Sequence, residues 1–319
     1  YPAAVGQRRC ADRKRGTMTS RRYRIKHITT YTYSDRVTSS YGRGFLAPRD
    51  MDGQHCVEKS VTVEPPPTDQ SFGVDVYGNE DVYFHVTNDH EKLVVTADSL
   101  VEVYPRPVDE TTSWPATAPW ESARMAMFDP TRTDAADSAR SSAVEFALDL
   151  PTPEITDEVR AYAAPSFTPG RPLADVIVDL THRIFIDFRY LSGSTTVSTT
   201  VVDVLAARSG VCQDFARLAI ACLRSQGLAA RYVSGYLATE PPPGKERMIG
   251  VDATHAWAAV WMPDDRWLAF DPTNDQLVDE RYATVAWGRD YADVPPLRGV
   301  IYTEAEKSTI AVSVDVAPM

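Results

Sequence analysis

The chain has 319 residues, 43% of them hydrophobic, with 33 Lys and Arg against 44 Asp and Glu, for a formal net charge of −11. Such a length can bury a substantial core in one large domain or two modest ones. The acidic balance offers no broad attraction to phosphate backbones or anionic lipid, which excludes nucleic acid and membrane surfaces as expected partners.

Four cysteines, Cys10, Cys56, Cys212 and Cys222, are too sparse for a disulfide framework and point to a reducing, cytoplasmic setting. At the N-terminus Arg8, Arg9, Arg13, Lys14 and Arg15 lead into no apolar stretch of the kind an export signal needs. No apolar run approaches the roughly 20 residues of a membrane span. Residues 1–19 read as a disordered extension.

Between Tyr23 and Tyr104, Val, Thr and Tyr recur in short runs separated by turn residues, the pattern of antiparallel strands. Gly73 to Tyr77 and Glu80 to Val86 flank Gly78-Asn79, a pair that supplies positive φ angles to a tight hairpin. Beyond Asn88-Asp89, the residues Leu93, Val95, Ala97, Ser99, Val101 and Val103 share one alternating face. Residues 20–104 are therefore expected to form an N-terminal antiparallel β-domain.

Pro105, Pro107, Pro115 and Pro119 remove backbone donors, so a linker is expected over 105–122. Helical spacing follows in Ala143 to Leu150, Thr156 to Ala164 and Leu173 to Phe188, the last with Val176, Ile177, Leu180, Ile184 and Phe185 on one stripe. No internal repeat at solenoid spacing is present. Ile310, Val312, Val314 and Val316 alternate in a closing strand, and 123–319 is expected to form one catalytic domain.

The chemistry centres on Ser209-Gly210-Val211-Cys212-Gln213-Asp214-Phe215. Phe215, Leu218, Ala219, Cys222 and Leu223 recur at helical spacing and Gly227 suits a left-handed C-cap, so Cys212 opens a buried helix. Unpaired N–H groups and the positive end of the helix dipole favour thiolate over thiol there. Taken alone, Cys212 reads equally well as a small buried residue, and that is the better reading of Cys10, Cys56 and Cys222.

Next, Thr254-His255-Ala256-Trp257-Ala258-Ala259-Val260-Trp261 and Trp267-Leu268-Ala269-Phe270-Asp271-Pro272 flank a polar break, as in a hairpin. His255, Trp257, Ala259 and Trp261 share one face, and an imidazole oriented by a carboxylate is the base that a thiol nucleophile requires. A four-residue loop at 263–266 would pair His255 with Asn274 and turn Asp271 away. An odd loop or a bulge is therefore predicted.

Other chemistries fail on spacing. Arg217 follows Cys212 by five positions where a phosphatase loop needs six and surrounding glycine. There is no Cys-x-x-Cys and no histidine pair at zinc spacing, so neither metal nor cofactor is expected. His27, His55, His85, His90 and His182 read mostly as surface or strand-face residues.

Gly210-Val211-Cys212-Gln213-Asp214-Phe215-Ala216, Ala230-Arg231-Tyr232-Val233-Ser234-Gly235-Tyr236, His255-Ala256-Trp257 and Phe270-Asp271-Pro272-Thr273 together resemble the bacterial transglutaminase-like superfamily. The region from Tyr23 to Tyr104 resembles the N-terminal domain of many bacterial members, and Gly288 to Val294 resembles the segment after their core. The resemblance implies an α+β, papain-like core with its nucleophile at a helix N-terminus packed on an antiparallel sheet, preceded by the β-domain.

By the same resemblance Cys212 is the nucleophile, His255 the general base and acid, and Asp271 the group that orients the imidazole. The Cys212 backbone N–H, with Tyr190 or Gln213, would bind the oxyanion, and Asp214 would pair with an arginine at the helix start. The implied activity is acyl transfer on amide bonds of a peptide or protein substrate through a thioester, resolved by water in a peptidase or amidase. Resolution by an amine in a transamidase, and a catalytically silent peptide-binding module, are the alternatives. In a third reading the β-domain recruits a protein partner.

Overall fold

A computed structural model describes residues 20–105, 114–129, 143–239 and 254–319. The extension expected over 1–19, Cys10 with it, and residues 106–113 of the expected linker lie outside the described residues.

Five strands open the chain: β1 (Arg21–Gly44), β2 (Gln54–Glu64), β3 (Asp69–Val74), β4 (Glu80–Val86) and β5 (His90–Val103), in the antiparallel order β2-β5-β1-β4-β3. The alternation expected in β5 holds, since Leu93, Val95, Ala97, Ser99, Val101 and Val103 are all buried. The register of β1 against β5 shifts between Thr32 and Val37, and beyond this break β1 pairs β4.

The expected Gly-Asn hairpin is looser than a two-residue turn. Of that pair only Gly78 takes a positive φ, +73°. The Asp75 carboxylate organises residues 75–79 by accepting the N–H groups of Tyr77 and Asn79.

The described part of the expected linker is not one. It forms α1 (Trp114–Thr117) and begins α2 (Trp120–Met127), with Ala116 and Trp120 buried in the main core. Two of the prolines sit where helices tolerate them: Pro115 in the first turn of α1, and Pro119 as the N-cap of α2. A helical stretch described over 143–147 (α3) precedes α4 (Asp157–Ala163) and α5 (Leu173–Asp187). On α5 the stripe Val176, Ile177, Leu180 and Ile184 is buried, whereas Phe185 is exposed.

A short parallel pair, β6 (Arg189–Tyr190) with β7 (Ser209–Gly210), brackets α6 (Val201–Ala207) and leads into α7 (Cys212–Ser225). The second sheet contains β8 (Ala230–Leu237), β9 (Thr254–Trp261), β10 (Trp267–Asp271), β11 (Gln276–Leu277) and β12 (Tyr282–Gly288), in the order β11-β10-β9-β8-β12. Its two faces have separate work. Ala256, Ala258 and Val260 join Phe215, Leu218, Ala219 and Cys222 of α7 in the main core, while Trp257 and Ala259 pack with Val233, Ala269 and Tyr282 on the other side.

The end of the chain corrects the expected division at 123–319. β13 (Arg298–Thr303) and β14 (Ser308–Pro318) both pair with β1, in the seven-stranded N-terminal sheet. Val314 and Val316 are buried in the same core as Tyr23 and Ile25. Alternation predicts a strand and its face, but not which sheet it joins, and β1 has a second long edge to offer. The architecture is the expected α+β class, with helices on an antiparallel sheet beside a curled β-domain. Among the described residues no helix is long and apolar enough to cross a membrane.

Candidate active site

Cys212 is the first residue of α7, as its position in the sequence predicted. The expected arginine partner of Asp214 is replaced by two donors: its Oδ2 accepts the Val211 N–H at 2.8 Å and the Thr195 hydroxyl at 2.7 Å. A side chain three residues into the helix thus ties down the N-cap backbone and fixes where the thiol emerges. Gly210 is needed beside it, because a Cβ there would lie 2.8 Å from the Asp214 carboxylate. At the other end Gly227 takes the left-handed φ of +75° expected of a C-cap. Cys222 is fully buried and Cys56 nearly so, whereas Cys212 is partly exposed.

The predicted parity correction is present. Trp261 faces Trp267 and Ala258 faces Phe270, leaving a five-residue loop, 262–266, in which Asp265 adopts a positive φ of 68°. Asp271 therefore falls on the face of β9 that carries His255 and Trp257. His255 Nε2 lies 2.6 Å from Asp271 Oδ2. That face is turned away from α7, so thiol and imidazole meet at the end of the sheet, where β9 starts and α7 begins. There Cys212 lies close enough to the imidazole to help raise its pKa.

Three residues that sequence reasoning missed complete the carboxylate. Asp271, with no exposed surface, accepts at Oδ2 from Asn274 Nδ2 and from the Tyr282 hydroxyl, each at 2.7 Å, and at Oδ1 from the Thr273 N–H at 2.8 Å. Thr273 and Asn274 follow Asp271 directly, so the Asx-Pro turn was their signal. Tyr282 had none, because it arrives from β12, three strands away from β10 in the sheet.

The electrostatics follow from this cage. Burial alone would raise the Asp271 carboxyl, but hydrogen bonds from His255, Asn274 and Tyr282 and the charge of His255 hold it below the ordinary value. Burial likewise opposes an imidazolium at His255, yet hydrogen bonds to Asp271 and Cys212, with their charges, carry its pKa up to about 10. The Tyr282 phenol is pushed up, by burial first and then by Asp271.

Of the two expected oxyanion side chains, Tyr190 pairs its backbone with Gly210. Its phenol is raised by burial and then by the charges of Cys212 and Asp214, which places it near the sulfur. Gln213 follows Cys212 on the first turn of α7, half-buried. Gly235 allows close approach, since a Cβ there would lie 2.2 Å from the Ala283 carbonyl. His27 on β1 and His90 at the start of β5 are buried strand residues, within the surface or strand-face reading of the scattered histidines.

The profile described as the transglutaminase-like superfamily matches residues 161–272, and that of the bacterial transglutaminase-like N-terminal region matches 23–102. An uncharacterised protein of Mycobacterium tuberculosis is 62% identical over 301 residues, 93% of either chain. A protein-glutamine gamma-glutamyltransferase of Pseudomonas aeruginosa is 39% identical over 75 residues, 23% of this chain and 11% of its own. A solved structure described as a candidate cysteine protease of Cytophaga hutchinsonii superposes with a TM-score of 0.71 at 19% identity, over 94% of this chain and 91% of that one, a likeness of fold. The chain belongs to the transglutaminase-like superfamily and carries its bacterial N-terminal region.

Proposed function

We propose that the protein is a cysteine-nucleophile acyl-transfer enzyme that acts on amide bonds of peptides or proteins, with hydrolysis as its main outcome. The observation that supports this most is the line of contacts from Cys212 at a helix start, through His255, to an Asp271 caged by four donors. With Nε2 bound to Asp271, Nδ1 is the nitrogen available to the thiol.

Once its proton has passed to His255, Cys212 Sγ bonds to the amide carbon, and the carbonyl electrons move onto oxygen. The Cys212 N–H at the helix start is the first donor to that oxyanion, with Tyr190 or Gln213 as its side-chain donor. Collapse breaks the C–N bond, and the imidazolium returns its proton to the departing amine, leaving a thioester. Water then gives a proton to His255 and its oxygen to the acyl carbon, the C–S bond breaks to release the acid, and the proton goes back to sulfur. Asp271 supports the imidazolium in both halves.

Resolution by an amine in place of water is favoured by one observation, the 75-residue similarity to the gamma-glutamyltransferase. Both outcomes share the intermediate, so one experiment addresses them. Intact-mass analysis after incubation with a lysate peptide pool is expected to show an acyl adduct that Cys212→Ala abolishes. Adding a primary amine diverts the acyl group only if transamidation operates. A protein that forms no adduct in any arm, or an adduct that survives Cys212→Ala, contradicts the proposal.

A further inference from the structure

β12 is the edge strand of the catalytic sheet, and its outer side is paired with side chains. Gln54 of the β-domain accepts the Thr284 N–H at Oε1 and donates Nε2 to the Thr284 carbonyl, both at 2.7 Å. Asn79 repeats the pattern one step along, accepting the Trp287 N–H at 2.9 Å and donating to the Trp287 carbonyl at 2.7 Å. Each amide thus closes the two-bond ring that a neighbouring strand would close. Outward-facing backbone groups normally recur every second residue. Here they are three apart because the ladder with β8 is bulged between Thr284 and Ala286.

The donors are themselves fixed. Gln54 Nε2 also reaches the Arg49 carbonyl, Arg49 donates its N–H to the Thr284 carbonyl, and its guanidinium bonds Asn79 Oδ1 at 2.6 Å while lying 3.3 Å from the Trp287 ring centroid. Gln54 and Asn79 are both buried. Tyr282, whose hydroxyl holds Asp271, is two residues before Thr284 on the same strand.

We propose that Gln54 and Asn79 are positioning residues of the catalytic site: by completing the edge of β12 they hold the strand from which Tyr282 reaches Asp271. The β-domain is then a part of the active-site scaffold. This rests on the proposed role of Cys212, His255 and Asp271.

Gln54→Met keeps the length of the side chain and removes its hydrogen bonds. Two quantities are read: the rate of Cys212 alkylation by iodoacetamide at about pH 6, and the downfield proton resonance of the His255–Asp271 hydrogen bond. Gln54→Met is expected to slow alkylation about three- to tenfold, as coupling between contacting groups allows, and to shift or broaden the resonance. In a Tyr282→Phe background it is expected to change neither further.

Tyr236→Phe is the control for general weakening between the domains, since that hydroxyl bonds His27 and the Leu46 carbonyl. It is expected to lower the melting temperature and leave the resonance in place. Asn79→Ala provides a second route if Gln54→Met does not fold. An unchanged resonance and rate in a folded Gln54 or Asn79 variant overturns the proposal, as does an effect equally large without the Tyr282 hydroxyl. The resonance needs no reactive thiol, so slow alkylation of the unaltered protein would count against the chemistry and not against the positioning.

Discussion

Asp271 and His255 titrate in opposite directions from their ordinary values, and each sets a limit on stability. The imidazole, raised from 6.5 to about 10, contributes stability that is fully present below 6.5 and is lost as pH rises through about 10. Asp271, lowered from 3.8, contributes stability present above that value and lost as pH falls through its depressed one. The melting-temperature advantage over His255→Gln is therefore expected to shrink between about pH 6 and pH 10. An advantage that stays level or grows over that interval contradicts the pairing. The two residues, with Cys212, were legible because each occupies a position whose local structure is readable: a helix start, a strand face and an Asx-Pro turn. Tyr282 was not, since a contact that crosses the sheet from β12 to β10 leaves no periodicity in the chain.

Two elements bring Cys212, His255 and Asp271 together, and the sequence announced one more fully than the other. The start of α7 carries its own signals in Gly210 and Asp214, although the partners of Asp214 differ from the arginine expected. Asp214→Ala removes an N-terminal cap, so it is expected to lower unfolding free energy by about 1–2 kcal/mol in urea titration. No loss would show that the bonds to Val211 and Thr195 are incidental. The β9–β10 hairpin was legible through a constraint: an odd loop or a bulge is needed to keep His255 and Asp271 on one face, and the loop has five residues. Pro115 and Pro119 misled because the effect of a proline depends on position, being disruptive inside a helix and tolerated at its N-cap or in its first turn.

Across the whole molecule the last two strands return to the first, with β14 alongside β1 from Tyr23 to Tyr33 and β13 alongside the second half of that strand. The fold class was readable from local patterns, but this return was not, because strand pairing between residues some 280 apart is decided by tertiary contacts and not by alternation. Truncation after Leu297 removes both strands and the buried Val314 and Val316. It is expected to give insoluble protein, or a melting temperature lower by more than about 5 °C, since burying one such side chain contributes roughly 1.5–3 kcal/mol. A soluble truncated chain that melts as before would mean that β13 and β14 are dispensable additions.

The account depends on Cys212 being activated by the imidazole that Asp271 steadies, and its alkylation at low pH reads this directly. Iodoacetamide should modify Cys212 at about pH 6 at least tenfold faster than an unstructured cysteine, whose pKa near 8.5 leaves well under 1% as thiolate there. His255→Gln should remove that advantage. A Cys212 that reacts no faster than the unstructured thiol, or reacts equally fast without His255, would contradict it.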